Sequence, residues 1–538
     1  MPVIESKVDL HSDAFRQNRE DMLGCIEEFR AIEARVRDTE LSKKARFEKR
    51  GQLLPRERVN LMLDRGSPFL ELSTLCGYKY HDDKDGSLAG GNSIYGIGYV
   101  SGTRCMLTAS NSAIKGGTMT PYGVQKTLRV QEISLQQKLP VVSMIESGGA
   151  NLMYQEDLFI PGGKTFANQA RLSAAGIPQV TVVHGSSTAG GAYMPGLSDY
   201  VIMVRNKAKV FLAGPPLLRA ATGEIAEDEE LGGADMHGTV AGTCEYLAED
   251  DADGIRIARE VMGKIAWNEH LPVFAAREYS EPLYDIEDLC GIVPADYRKP
   301  YDCREVIARL VDGSEFLEFK ADWDQQTICG QATIEGHPVG IIGNNGPITT
   351  KGANKAGQFI QLCCQSDMPI IYLQNITGYM VGTEAEQGGI VKHGSKMIQA
   401  VANATVPQIT IVMGGSFGAG NYGMCGRGYD PEFIFAWPNS RTAVMGGEQA
   451  AKVMSIVTEA KMKAAGKDVP AEFLQQMEQQ IIDKFNEQSH AFNGTARLWD
   501  DGLIDPRDTR RVLALTLSVC REARLRQLHP NTFGVARF

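Results

Sequence analysis

The sequence predicts an α/β protein made of two copies of one domain, and three observations carry that expectation. Segments of the two halves match at a fixed offset, β-branched runs alternate with helix-forming stretches, and each matched run ends in a cluster of glycine, serine and alanine. Glycine itself is enriched, at 57 of 538 residues, about a tenth of the chain against a usual ~7%. A chain of this length buries more than one core.

The repeat is read directly from the residues. Lys138-Leu139-Pro140-Val141-Val142 is echoed by Asp367-Met368-Pro369-Ile370-Ile371, Ile177-Pro178-Gln179-Val180 by Val406-Pro407-Gln408-Ile409, and Ala189-Gly190-Gly191 with Tyr193 by Gly418-Ala419-Gly420 with Tyr422. In all three the partners lie 229 positions apart, as in 369 − 140 and 418 − 189. An earlier anchor, Gly66-Ser67-Pro68-Phe69-Leu70-Glu71, recurs as Gly313-Ser314-Glu315-Phe316-Leu317-Glu318 at 313 − 66 = 247, so the second copy lacks 247 − 229 = 18 residues. Self-similarity over this length is a duplication of a whole folding unit. The expected domains are 1–285 and 286–538, divided where Pro282, Pro294 and Pro300 cluster.

The elements run in order along the chain. Arg16 to Arg50, dense in charge, reads as a peripheral helix. Arg171 to Gly176 reads as the end of a helix stopped at an Ile-Pro step, because the residue before proline disfavours the helical region. Val180-Thr181-Val182-Val183 is then a buried strand, and Ser187-Thr188-Ala189-Gly190-Gly191-Ala192-Tyr193 a turn that opens another helix. The second copy repeats the series with Met397 to Thr405, Ile409-Thr410-Ile411-Val412 and Ser416-Phe417-Gly418-Ala419-Gly420-Asn421-Tyr422. Pro470 to Phe492, rich in Gln and Glu, reads as a second peripheral helix. Strand and helix in alternation imply parallel strands joined by right-handed crossovers.

Composition excludes several function classes. Against 66 acidic residues stand 55 Lys and Arg, a net charge of −11, which disfavours nucleic acid as a partner. No apolar run approaches the roughly 18 residues of a membrane span. The eleven cysteines contain no Cys-x-x-Cys pair, so neither a zinc ribbon nor a disulfide framework is expected, and no metal site. Scattered thiols and an N-terminus without a signal or transit pattern lead to the expectation of a cytoplasmic protein.

The candidate chemistry lies in the two glycine turns. Where a strand ends on residues with little side chain and a helix begins, backbone N–H groups are unpaired, exposed and backed by the positive end of the helix dipole. That is how an oxyanion hole is built, and small residues leave room for the carbonyl that enters it. The alternative is that the small residues only allow close helix–strand packing. A rival lies on the second turn, where Gly414-Gly415-Ser416-Phe417-Gly418 fits the Gly-x-Ser-x-Gly nucleophile elbow, with His490 and His529 downstream. His184 and His393 read as structural histidines, and the acidic runs Glu227 to Glu230 and Glu249 to Asp251 as solvated faces or helix starts. Lys115-Gly116-Gly117 and Lys351-Gly352-Ala353 stand in roughly corresponding places and could meet phosphates, though neither is a Walker motif.

Taken together, Glu146-Ser147-Gly148-Gly149-Ala150-Asn151-Leu152, the first glycine turn, Phe211-Leu212-Ala213-Gly214-Pro215-Pro216, Ala221-Thr222-Gly223-Glu224, Leu231-Gly232-Gly233-Ala234-Asp235, Phe417 to Met424, Ala436-Trp437-Pro438 and Ala443-Val444-Met445-Gly446-Gly447 resemble the carboxyltransferase subunit of biotin-dependent acyl-CoA carboxylases, in the branch of the methylcrotonyl-CoA and geranyl-CoA enzymes. The resemblance runs from about Arg46 to Ala523. It implies two crotonase-like domains, a site formed between subunits, and a β6 core carrying α subunits, so α6β6. It also implies that biotin, with the ATP and Mg chemistry that charges it, belongs to a biotin carboxylase and carrier partner. This chain has no Ala-Met-Lys-Met motif, Ala460-Lys461-Met462-Lys463 being a near miss.

By position, Ala189 and Gly190 would hold the thioester oxygen and Gly418 and Ala419 the biotin oxygen. Lys115, Gly116, Gly117, Gly149, Ala150, Gly162, Gly163, Gly191 and Tyr193 would line the acyl-CoA site, and Phe417, Gly420, Tyr422, Gly446 and Gly447 the biotin site. One departure separates the substrates. Methylcrotonyl-type chains carry an aromatic residue where this chain has Gly162, in what reads as a shortened loop from Glu156 to Lys164, and the missing ring leaves room for a geranyl chain. The alternative is a loop repacked by Phe159 or Phe166.

Overall fold

The computed structural model describes residues 2–269, 271–272, 277–466 and 469–536. The chain divides into two compact units, one formed by 31–274 with 496–498 and 519–538, the other by 1–30 with 275–495 and 499–518. Each is built on a single mixed sheet.

In the unit containing 31–274 the strands are β1 (Leu70–Leu72), β2 (Ser93–Val100), β3 (Thr103–Ser110), β4 (Val141–Ser147), β5 (Gln179–Thr188), β6 (Tyr200–Val204), β7 (Lys209–Phe211) and β8 (Tyr246–Ala248). Their order is β1-β2-β3-β4-β5-β6-β8, with β7 on the end of β5. The first three are antiparallel and the rest parallel. The helices Pro121–Gln136 and Gln155–Ala174 make the crossovers on either side of β4. Val142, Met144, Val180, Val182, Ile202 and Val204 fill the core, as the β-branched runs require of a sheet buried on its faces.

The other unit repeats the plan with β9 (Leu317–Glu318), β10 (Thr327–Ile334), β11 (His337–Asn344), β12 (Ile370–Ile376), β13 (Gln408–Phe417), β14 (Phe433–Ala436) and β15 (Arg441–Ala443). The order is β9-β10-β11-β12-β13-β14, with β15 on the end of β13. Thr350–Gln365 and Ile390–Ala402 are its crossovers. The duplicated prolines sit just before strands and offer carbonyls to the ladder: Val141 N donates to Pro178 O at 2.9 Å and Ile370 N to Pro407 O at 2.8 Å.

The 18 residues absent from the second copy come out of two places. The offset falls from 247 at β1 and β9 to 327 − 93 = 234 at β2 and β10, and to 350 − 121 = 229 at the first crossover helices. The first copy's longer loops, 73–92 and 111–120, meet each other: Asn111 N donates to Asn92 O at 2.8 Å and Asn92 Nδ2 to Thr118 O at 2.9 Å.

Two expectations are corrected here. The helix Asp13–Leu41 is not peripheral, since Met22, Ile26, Phe29, Ile32 and Val36 form a buried stripe at helical spacing that the surrounding charge conceals. Lys351 does not correspond to Lys115. It lies in the first turn of Thr350–Gln365, whereas Lys115 belongs to the loop 111–120, whose counterpart 345–349 is five residues shorter. All eleven cysteines are free and nine are buried.

Candidate active site

Both glycine turns are pushed out of their sheets by the same irregularity. Between Ile145 and Ser147, β4 advances two residues while β5 advances four, from Val183 to Ser187. Between Gln374 and Ile376, β12 advances two while β13 advances four, from Val412 to Ser416. A bulge of this kind bends the longer strand and re-aims the residues beyond it.

Beyond the two bulges the chain makes the same turn twice. Ala189 and Gly418, matched across the duplication, both have φ +53. A left-handed alanine is strained by roughly 1–2 kcal/mol, and such strain collects at functional sites. The helical segments that begin here are short, Ala189–Ala192 continued by Tyr193–Gly196, and Gly418–Gly423. The expected helix dipole is therefore small. The free leading N–H groups of the turn carry the polarity themselves.

The third residue of each turn is a packing glycine. A Cβ on Gly191 would stand 3.3 Å from the Ser147 and Ser187 side chains, and one on Gly420 2.7 Å from Ile376. Ser187 Oγ donates to Gly191 O at 2.8 Å within the turn and Ser147 Oγ accepts from Gly149 N at 3.1 Å within the Ser147–Ala150 loop, and the two segments join where Ser147 pairs with Ser187 in the sheet. That loop leans on Lys115-Gly116-Gly117. Gly148 N donates to Gly116 O at 3.1 Å, and a Cβ on Gly117 would lie 2.2 Å from Glu146 O. Ala150 bridges to Met119. Lys115 pairs with Asp82 at 2.6 Å, and Asp82 also accepts from Tyr154 Oη at 2.8 Å; these bonds hold its carboxyl below the usual range.

Gly162 and Gly163 lie in a helix, Gln155–Ala174, rather than a loop. Leu158, Gly162 and Thr165 are buried at helical spacing, and that face outweighs the breaking tendency of Pro161 and the glycine pair. One turn on, Phe166 packs against Tyr193 with ring centroids 5.6 Å apart and approaches Gly190. A Cβ on buried Gly162 would meet nothing within 4 Å. Phe159 does not fill that space; it is 79% exposed.

On the second turn Phe417 packs against Tyr297 at 4.9 Å, and a Cβ on Gly446 would lie 3.3 Å from Tyr297 Oη. These residues line a cavity of about 590 Å³ with Arg441 and Glu448. Gly447 borders it too, but its Cα faces Ile482 and Phe485 of the helix Ala471–Ser489, where a Cβ would be tight. Tyr422 is exposed beside Tyr429. Ser416 speaks against the hydrolase alternative: it is buried, and its Oγ accepts from Asn421 Nδ2 at 2.7 Å, with no hydrogen bond to a histidine among the described residues.

Sequence reading missed the support beneath the first turn. Buried Arg58 joins Asp251 at 2.9 Å and Glu146 at 3.0 Å, Glu146 accepts from Ser112 at 2.8 Å, and Asp251 meets His184 Nδ1 at 2.8 Å. Burial lowers the His184 pKa, which keeps the ring neutral and suits the structural role expected of it. The one available signal was position, since Glu146 immediately precedes the Ser147-Gly148-Gly149 motif. The buried lysines Lys126 and Lys355, 229 apart, were missed as well; they cap carbonyls of Gly90 and Ser93, and of Asp324. Among the described residues no cluster of side chains could hold a metal ion, and no helix is long and apolar enough to cross a membrane.

Residues 46–535 match the carboxyl transferase domain family. The chain is 45% identical over 537 residues to the probable biotin-dependent acyl-coenzyme A carboxylase beta2 subunit of Mycobacterium tuberculosis, covering 99% of this chain and 100% of that one. It is 48% identical over 488 residues to the same organism's biotin-dependent 3-methylcrotonyl-coenzyme A carboxylase beta1 subunit, covering 90% and 91%. Among solved structures, the beta subunit of geranyl-CoA carboxylase from P. aeruginosa superposes with a TM-score of 0.94 at 60% identity over the whole of both chains.

Proposed function

Because this chain belongs to the carboxyl transferase family, as the carboxyltransferase subunit of a biotin-dependent acyl-CoA carboxylase, we propose that it moves a carboxyl group from biotin to the γ carbon of geranyl-CoA. The single observation that carries the choice of acyl chain is the open space at Gly162, one helical turn from the ring of Phe166 beside the first glycine turn. The 60% identity to a geranyl-CoA carboxylase subunit supports it.

The thioester oxygen rests on the N–H groups of Ala189 and Gly190. When the γ proton leaves a 3-methyl-2-enoyl thioester, the negative charge spreads through the double bond onto that oxygen. Fixed N–H donors lower the barrier by roughly 3–4 kcal/mol, about 10²–10³ in rate. The network of Arg58, Glu146 and Asp251 and the serines Ser147 and Ser187 hold the donors in place. Phe166 and Tyr193 pack together beside this turn and offer the acyl group an apolar surface.

Biotin fits the second turn. Gly418 and Gly446 leave room that a side chain would fill, and the buried Nη1 of Arg441 has no hydrogen-bond partner among the described residues. The N–H groups of Gly418 and Ala419 would donate to its ureido oxygen, with Phe417 and Tyr297 beside the ring. When bound, the group supplies the carboxyl to be transferred and a nitrogen that takes the proton. It comes on the carrier domain of a biotin carboxylase partner, with which this chain forms an α6β6 assembly in the cytoplasm.

The test is Gly162→Phe in the reconstituted holoenzyme. The ring blocks several methylenes, each worth about 1–3 kcal/mol, so kcat/KM for geranyl-CoA falls by more than that for 3-methylcrotonyl-CoA, which ends before the obstruction. A wild type that already prefers 3-methylcrotonyl-CoA, or a ratio unmoved by the substitution, assigns the shorter substrate.

A further inference from the structure

A cation at the same place in both copies has opposite surroundings. The short strand beside each glycine turn begins with a base: Lys209 of β7 pairs in register with Ser186, and Arg441 of β15 with Gly415, its counterpart. Lys209 is neutralised by Asp228 at 3.6 Å and Glu229 at 3.4 Å. Arg441 has no ion pair among the described residues, and its Nη1 is shut from solvent without a hydrogen-bond partner. Burial depresses the basicity of this guanidinium by more than the nearby charges of Glu28 and Asp296, neither of them ion-paired to it, raise it.

The acids around it are exposed or already engaged. Arg298 takes Asp296 at 2.9 Å and Glu448 at 2.8 Å, Asp21 accepts from Gln17 at 2.9 Å, and Glu28 is exposed. Arg441 lines the cavity of about 590 Å³ together with Phe417, the residue that precedes Gly418. A buried charge left unpaired in the free protein is costly, and an anionic ligand relieves the cost.

Extending the function proposed above, we infer that Arg441 binds the carboxylate of a carboxylated ureido ring whose carbonyl oxygen rests on Gly418 and Ala419. A guanidinium suits this task because its planar fork matches a carboxylate with two parallel hydrogen bonds. The paired Lys209 leaves the first turn without such a charge, which suits a thioester that enters uncharged. The two holes are thus alike in backbone and distinguished by one side chain.

Two small probes separate the charge from the ring: neutral imidazolidin-2-one, and (2-oxoimidazolidin-1-yl)acetate, which bears a carboxylate on a ring nitrogen substituent. Calorimetric titration of the full-length subunit should show the anion bound about tenfold tighter or more. Arg441→Gln should bring the two affinities together and leave the neutral probe unchanged, while Arg441→Lys retains part of the preference. A wild type without preference, a preference that survives Arg441→Gln, no binding of either probe, or a change of oligomeric mass in the variant, which would mean that Arg441 pairs with a neighbouring subunit, overturns the inference. In each case a holoenzyme that still carboxylates geranyl-CoA or 3-methylcrotonyl-CoA leaves the proposed function standing, and one that carboxylates neither removes it.

Discussion

Gly418→Val tests the backbone mechanism at its most exposed point. Position 418 has φ +53, and a Cβ there would lie 3.0 Å from Val444 O. The left-handed conformation costs an L-residue roughly 1–2 kcal/mol, more when it is β-branched. Alanine is bearable on both counts. The matching position of the first turn is already Ala189 at φ +53, and Val444 is 75% exposed, so that wall can yield a few tenths of an ångström. Valine adds two γ carbons to the space a ligand oxygen must enter, and to remain in the turn it must rotate the peptide whose N–H is the donor. Loss of one such donor costs about 10²–10³ in rate. The assay is steady-state carboxylation of geranyl-CoA by the subunit assembled with its biotin-bearing partner, ATP and bicarbonate, with mass and circular dichroism confirming assembly. Gly418→Ala should stay within about tenfold of wild type and Gly418→Val should fall at least about a hundredfold. An assembled Gly418→Val enzyme at wild-type turnover would refute a backbone hole at this turn.

Ser416→Ala should retain substantial carboxylation and lose roughly 1–3 kcal/mol of stability through the unpaired Asn421 amide; complete loss of activity with intact assembly, or labelling of Ser416 by a fluorophosphonate, would contradict this. Buried Asp500 has its pKa raised from 3.8 to about 7 by desolvation. Its folded form therefore keeps its proton to higher pH than the unfolded chain, and stability falls as pH rises from about 4 to about 7, by at most about 4 kcal/mol. Asp500→Asn should accordingly gain more in urea midpoint at pH 8 than at pH 4, and an equal gain at both would show that Asp500 does not titrate in this window. The chain alone should sediment well above the mass of one 538-residue subunit and be unable to use ATP and bicarbonate until the biotin-bearing chain is added; an active monomer would contradict both statements.

The sequence by itself determined the duplication, the alternation of strand and helix, and the identity of the two glycine turns. These are legible because they are local and repeated. A β-branched run, a proline before it and small residues after it act over a few positions, and their recurrence 229 residues later leaves chance little room. Tertiary structure decided the rest. Pro161 and two glycines read as a loop from 156 to 164, yet burial of Leu158, Gly162 and Thr165 on one face makes the segment helical. Charge around Arg16 to Arg50 reads as a solvated surface, yet five apolar residues on one face bury the helix. Glu146 is tied to Arg58 across 88 residues and Arg58 to Asp251 across 193, and no local pattern encodes such a pairing. The same holds for the two bases at the turns. Lys209 and Arg441 are ordinary cations in the sequence, and only the folded chain shows that Asp228 and Glu229 ion-pair with one, while the other makes no ion pair among the described residues and keeps a buried Nη1 without a hydrogen-bond partner there. Hydrophobic and turn preferences depend on neighbours in the chain. Ion pairing and desolvation depend on neighbours in space, and the fold must form before those exist.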